Sequence, residues 1–168
     1  MLNALRQSKQ IKTHAARTYA GIVARSREPF FFVTLAVPDS FDGRFDLLTL
    51  HAYLVLSRLK EEGRTKLAQA LVDRLFTAFD EALRELGAGD IAMGRRMKQM
   101  ADAFYGRLAA YEAATDPATM GEALVRNLYR GELPACIGAV ADYVLAAKQI
   151  LKVSPDGGVD FGPLPGSP

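Results

Sequence analysis

An all-α fold follows from three features of this 168-residue chain. Apolar residues recur at helical spacing through most of it, glycine- and proline-led turns cut it into helix-length segments, and no second convincing strand is present for a first to pair with. The length fits one domain able to bury a core without disulfide or metal support. A composition of 49% hydrophobic and 24% charged residues is that of a globular chain. The architecture expected is a single domain over residues 1–153, with six or seven helices around a central apolar one, followed by a disordered tail at 154–168.

The first helix carries Ile11, Ala15, Tyr19 and Ile22 on one face. Around that line stand Arg6, Lys9, Lys12, Arg17, Arg25 and Arg27, with no acid in residues 1–27, which leaves 15 cations against 19 acids in the rest. An ordinary helix with a solvated basic side is the first reading. A membrane-surface or nucleic-acid contact and a transit peptide are the alternatives. Pro29 ends this helix by pushing Glu28 out of the α region, and residues 30–43 are expected to form a one-turn helix and a loop packed on the core. From Phe45 to Glu62 apolar residues cover more than one face, marking the central helix, which Gly63 stops. Leu67, Leu71, Leu75, Phe79, Ala82 and Leu86 then form one stripe, opposite Asp73, Asp80, Glu81 and Glu85, until Gly87. Asp90 is expected to cap the next helix, whose stripe runs Met93, Met97, Met100, Phe104, Leu108, Tyr111. Asp116 caps and Pro117 opens a short helix reaching Arg130, and a last helix runs from about Pro134 to Leu151. Residues 154–168 hold four Pro and four Gly, too little apolar surface to offset the entropy of ordering.

Candidate chemistry is sparse. One cysteine, Cys136, allows no internal disulfide and suits a reducing compartment. The longest charge-free stretch is the eleven residues Leu47 to Ser57, too short to span a bilayer, which takes about 20. His51 sits in the most apolar helix, without a carboxylate and nucleophile to make it a base or the ligands to make a metal site. A buried, hydrogen-bonded histidine is favoured over an interaction or haem-contact residue. Asp73, Asp80 and Glu81 read as a solvated face rather than paired acids. The Gly87-to-Gly89 turn lacks the strand and GK[ST] of a phosphate loop. The three methionines read as core rather than an adaptable client groove. Arg95, Arg96 and Lys98 form a basic cluster that is either solvated or set against RNA, lipid phosphate or an acidic partner. Arg107 is either a surface contact or a buried partner for Asp46 or Asp80, with Gly106 allowing another helix to come close. No catalytic residue and no metal ligand is identified.

Three segments, FDGRFDLLTLHAYLVLSRL at 41–59, LVDRLFTAFDEALRELGAGDIAMGRRMKQMADAFYGRLAAY at 71–111 and ALVRNLY at 123–129, resemble the ubiquinol-cytochrome c chaperones in order and approximate spacing. The most specific piece runs from Gly89 to Arg107, and the resemblance covers roughly residues 15–150. It implies an all-helical, non-catalytic assembly factor for the cytochrome bc1 complex that binds newly made cytochrome b or another bc1 subunit, without a cofactor. A small helical partner protein, the ribosome, an anionic membrane surface and a second copy of the chain are further partners it implies. On that reading Phe30, Phe31, His51, Arg95, Arg96, Lys98, Phe104, Tyr105 and Arg107 become candidates for partner binding. Lys9, Lys12 and Arg17, with the cluster at 95–98, become candidates for phosphate or lipid contact. The start close to the first domain helix favours a bacterial member in the cytoplasm or at the inner membrane, with the mitochondrial matrix the eukaryotic counterpart. The competing expectation is a helical haem- or small-ligand-binding domain, with His51 facing an open cavity beside a second ligand. A third, nucleic-acid binding through residues 6–27, requires that basic helix and Arg95 and Arg96 to share one face.

Overall fold

The computed structural model describes residues 2–87 and 89–165, apart from the side chains of Leu2 and Asp90. In chain order the elements are α1 (Leu2–Ser26), α2 (Pro29–Val33), α3 (Phe41–Glu61), α4 (Thr65–Glu85), α5 (Asp90–Ala113), α6 (Pro117–Asn127), α7 (Ile137–Ile150), β1 (Lys152–Val153) and β2 (Val159–Asp160). The all-α class and the single core hold.

α3 is the central helix, packed against α1, α4, α5, α7 and β1. Its unbroken buried run from Thr49 to Val55 is why its apolar residues show no single face. It starts four residues earlier than the apolar pattern marks. Ser40 caps it by accepting from the Gly43 N–H at 3.0 Å, so Asp42 and Gly43, which read as turn residues, are its first turn. Gly43 is required there because a Cβ would run into the Pro38 carbonyl. The α1 stripe is confirmed, with Ala15 and Ile22 buried and Tyr19 partly so. α4 and α5 form an antiparallel hairpin in which Phe76 and Phe79 meet Phe104 with ring centroids 5.6 and 5.9 Å apart. Asp116 accepts from the N–H groups of Ala118 and Thr119, each at 2.9 Å, in the expected cap with Pro117 at the first turn. α6 ends at Asn127 rather than Arg130, and α7 starts at Ile137. The cap position of α5 is Gly89, and the side chain of Asp90, expected to cap it, lies outside the described residues.

The disorder expected of the tail is corrected for residues 154–165; residues 166–168 lie outside the described residues. β1 and β2 pair antiparallel, Lys152 with Asp160 and Val153 with Val159. Thr18, buried in α1, donates to the Gly157 carbonyl at 2.8 Å, Arg17 pairs with Asp156, and Arg64 donates to the carbonyls of Val153 and Ser154 at 2.7 and 2.9 Å. Gly157 has φ of 90° and lies so close to His14 that a Cβ would strike its carbonyl. The glycines counted as disorder signals are thus what let the segment lie flat on α1, and Phe161, at 5% exposure, supplies its apolar anchor.

Candidate functional site

An apolar groove opens between four helices. Tyr19, Val23, Ser26 and Arg27 of α1 and the loop after it, Phe41, Arg44, Phe45 and Leu48 of α3, Ala78, Phe79 and Ala82 of α4, and Met100 of α5 line a volume of about 190 Å³. Its floor is an edge-to-face aromatic cluster, with Phe45 on Phe79 at 5.3 Å and Phe79 on Phe76 at 5.5 Å. The Arg74 guanidinium, 4.5 Å over the Tyr19 ring, braces one wall. At the mouth Phe41 is 43% exposed, and the exposed cations Arg27 and Arg44 flank it. Arg44 donates to Asp39 at 2.7 Å, which holds that carboxyl below its ordinary range, first through the hydrogen bond itself. Apart from Ser26, Arg27 and Arg44 and the Tyr19 hydroxyl the lining is apolar, so the groove can take apolar side chains. A second apolar groove lies between α6 and α7, with Val125, Ile137 and the 75%-exposed Leu133 along it.

Beneath the first groove, His51 is sealed. Its Nδ1 lies 2.9 Å from the Leu47 carbonyl and 3.1 Å from Ser26 Oγ, and Nε2 lies 2.9 Å from Tyr143 Oη. A carbonyl only accepts, so Nδ1 carries the proton and Nε2 accepts from Tyr143, whose oxygen in turn accepts from Arg25 Nε at 3.0 Å. Phe31 and Phe161 stand edge-on to the imidazole at 5.0 and 5.3 Å. Desolvation is the main reason its pKa falls from 6.5 to about 3; the bond to Leu47 opposes the fall and the Arg25 charge adds to it. With both nitrogens engaged and no open side, His51 does not face the cavity that a haem or small-ligand site requires, so that expectation is corrected. His51 and Phe31 present no surface to a partner.

Arg107 is likewise an internal residue. Its Nη2 meets buried Asp46 at 2.9 Å, Nε and Nη1 donate to the Asn127 and Ala103 carbonyls at 3.2 and 3.1 Å, and the guanidinium lies over Phe45 at 5.6 Å. Arg130 donates to the other Asp46 oxygen at 2.9 Å and reaches Asp42 at 3.2 Å. Burial pushes the Asp46 carboxyl up, and the two guanidiniums pull against it. The choice between Asp46 and Asp80 is settled, since Asp80 takes Arg84 instead at 2.8 Å. Gly106 faces open space, so it admits no close helix.

The remaining candidates divide by exposure. Phe104 is fully buried, Phe30 is half-buried, and Tyr105, 51% exposed, stacks on Phe76 at 5.8 Å. Arg95, Arg96, Lys98, Lys9 and Lys12 are all exposed, while Arg17 is occupied by Asp156. Lys12 lies beside Lys66 and Asp73 at the start of α4, whereas Arg95 follows the turn at its other end. Lys12 thus stands by the first half of α4, while Arg27, at the other end of the basic segment, shares the groove with Ala82 and Met100 nearer the α4–α5 turn. Sequence reasoning missed Phe41 and the groove; a bulky aromatic directly after a capping serine was the available signal.

A family model described as ubiquinol-cytochrome C chaperone matches residues 33–157, more than half of the chain. The chain is 27% identical over 154 residues to ubiquinol-cytochrome c reductase complex assembly factor 1 of Mus musculus, covering 88% of this chain and 52% of that one. The Xenopus laevis protein of that name is 26% identical over 148 residues, with 84% and 74% covered. The chain thus spans about half the length of the mouse relative. The crystal structure of the Cbp3 homolog from Brucella abortus superposes with a TM-score of 0.78 at 36% identity, covering 89% of this chain and 87% of that one.

Proposed function

The chain belongs to the ubiquinol-cytochrome c chaperone family, and from that membership we propose that it is a non-catalytic assembly factor of the cytochrome bc1 complex that shelters an apolar segment of newly made cytochrome b. The observation that carries this reading is the groove beneath Phe41. It is open, lined mostly by apolar side chains from four helices, and rimmed by Arg27 and by Arg44, which is paired with Asp39. A membrane subunit exposes apolar side chains until it is inserted, and an amphipathic segment laying such residues into a groove is a recurring mode of recognition. No described helix is long and apolar enough to cross a membrane, and on this reading the chain meets its client at one side of the bilayer. In a bacterium that side is the cytoplasmic face of the inner membrane, and in a eukaryote the matrix face.

Co-isolation tests this. Tagged protein is recovered from respiring cells as wild type and as Phe41→Asp, with the variant's helicity measured against wild type, and the recovered material is probed for cytochrome b. Losing the burial of one phenylalanine predicts a drop of about tenfold or more. Equal recovery with both forms removes the groove from the proposal. Absence from both removes cytochrome b as the client.

A further inference from the structure

The turn between α4 and α5 leaves apolar side chains exposed among the described residues. Leu86, capping α4, is 57% exposed, and Ile91, in the first turn of α5, is 103% exposed. Helical spacing places Arg95 and Lys98 at i+4 and i+7 from Ile91, on the side away from buried Met93 and half-buried Met97 and Met100, with Arg96 on the flank. None of these three cations has an ion-pair or hydrogen-bond partner among the described residues, and residues 91–101 contain no acid. Of the nearby acids on α4, Asp80 holds Arg84 and Glu81 reaches Arg74 at 3.6 Å, leaving Glu85 beside the turn; Asp90, whose side chain lies outside the described residues, directly precedes Ile91, and Asp102 lies further along α5.

We propose that this end of the α4–α5 hairpin docks on an anionic lipid surface, with Leu86 and Ile91 entering the headgroup layer and Arg95, Arg96 and Lys98 on lipid phosphates. Apolar tips beside cations are what an interfacial contact uses, the aliphatic groups leaving water while the charges stay at phosphate depth. The pairing also selects lipid over nucleic acid. Leucine and isoleucine offer a base neither a stacking plane nor a hydrogen bond, whereas a single-strand surface interleaves its cations with aromatic residues. The docking stands independently of any client. If the proposed function also holds, it has a geometric consequence: Ala82, one turn before Leu86, and Met100, across the hairpin from it, line the groove, so docking the turn sets the groove beside the bilayer.

The chain contains no tryptophan, so Ile91→Trp introduces a single reporter at the tip, and Leu133→Trp, at a comparably exposed position by the α6–α7 groove, supplies the control. Each is titrated with vesicles of phosphatidylcholine alone and of phosphatidylcholine with phosphatidylglycerol. The Ile91→Trp emission shifts to the blue with anionic vesicles only, the Leu133→Trp emission does not move, and each cation removed in the Ile91→Trp background weakens binding about fivefold. Should a charge-removed form lose helicity, loss of the wild-type-charge signal on adding salt gives the same answer. No shift at Ile91→Trp, or equal shifts at both reporters, overturns the proposal. So does a single-stranded RNA that binds through the three cations while vesicles do not, which reassigns the surface to nucleic acid.

Discussion

Acid sensitivity follows from the sealed histidine. An unfolded chain protonates His51 near 6.5, whereas the folded chain resists to about 3, chiefly because charging the ring inside its aromatic enclosure forfeits solvation. Between those values the unfolded state binds more protons, so stability rises with pH, is fully present above 6.5, and is lost as pH falls toward 3. Each unit of pH below 6.5 is worth about 1.4 kcal/mol, so this one residue removes about 2 kcal/mol by pH 5. The assay is denaturant unfolding of wild type and His51→Gln at several pH values between 7.5 and 5, read as free energy from the linear extrapolation. The variant is less stable at pH 7.5, having lost the ring contacts to Phe31 and Phe161, but its curve against pH is flatter by about 2 kcal/mol over the range. Parallel curves refute the reasoning, since they mean that the folded chain accepts the proton as readily as the unfolded one and that the enclosure admits water.

Other consequences are equally direct. Arg107→Ala leaves buried Asp46 without one of its two guanidiniums and is expected to cost about 3–5 kcal/mol in urea unfolding, so a cellular defect in that variant reports folding rather than a lost partner contact. Gly157→Ala cannot hold its positive φ against the His14 carbonyl; limited proteolysis should cut the variant within 154–165 far faster than wild type, with far-UV dichroism unchanged.

What the sequence made legible and what it hid separate by range. α4 and α5 could be read because a stripe such as Leu67, Leu71, Leu75 is local, and Gly63 and Gly87, at φ of 66° and 77°, terminate their helices by local geometry as well. The C-terminal hairpin could not, because its glycines are ordered by contacts with His14 and Thr18, about 140 residues away. Read alone, a Pro- and Gly-rich segment has no apolar face; its anchor, Phe161, gains its meaning only against His51. The start of α3 was hidden for a related reason. Asp42 and Gly43 have turn propensity, and what overrides it is the Ser40 cap together with the close approach of Pro38. The groove was least legible of all. Tyr19 and Met100 belong to stripes that look like core, and periodicity cannot show that the places where four helices meet are left unfilled. Of the residues named in advance, His51 stands out by its rarity, Phe104 and Arg107 by their motif, and Phe31 by the apolar segment it belongs to. Their buried contacts show that each serves packing or charge pairing.

Site-specific photo-crosslinking in cells making cytochrome b is the most direct test of the central claim. A photoreactive amino acid is placed at Phe41, at the groove mouth, and in parallel at Leu133, outside it. The account predicts a crosslink to cytochrome b from position 41, strongest during synthesis of the subunit, and none from position 133. Crosslinks from neither position, or equally from both, contradict the groove as the site where the chain holds its proposed client.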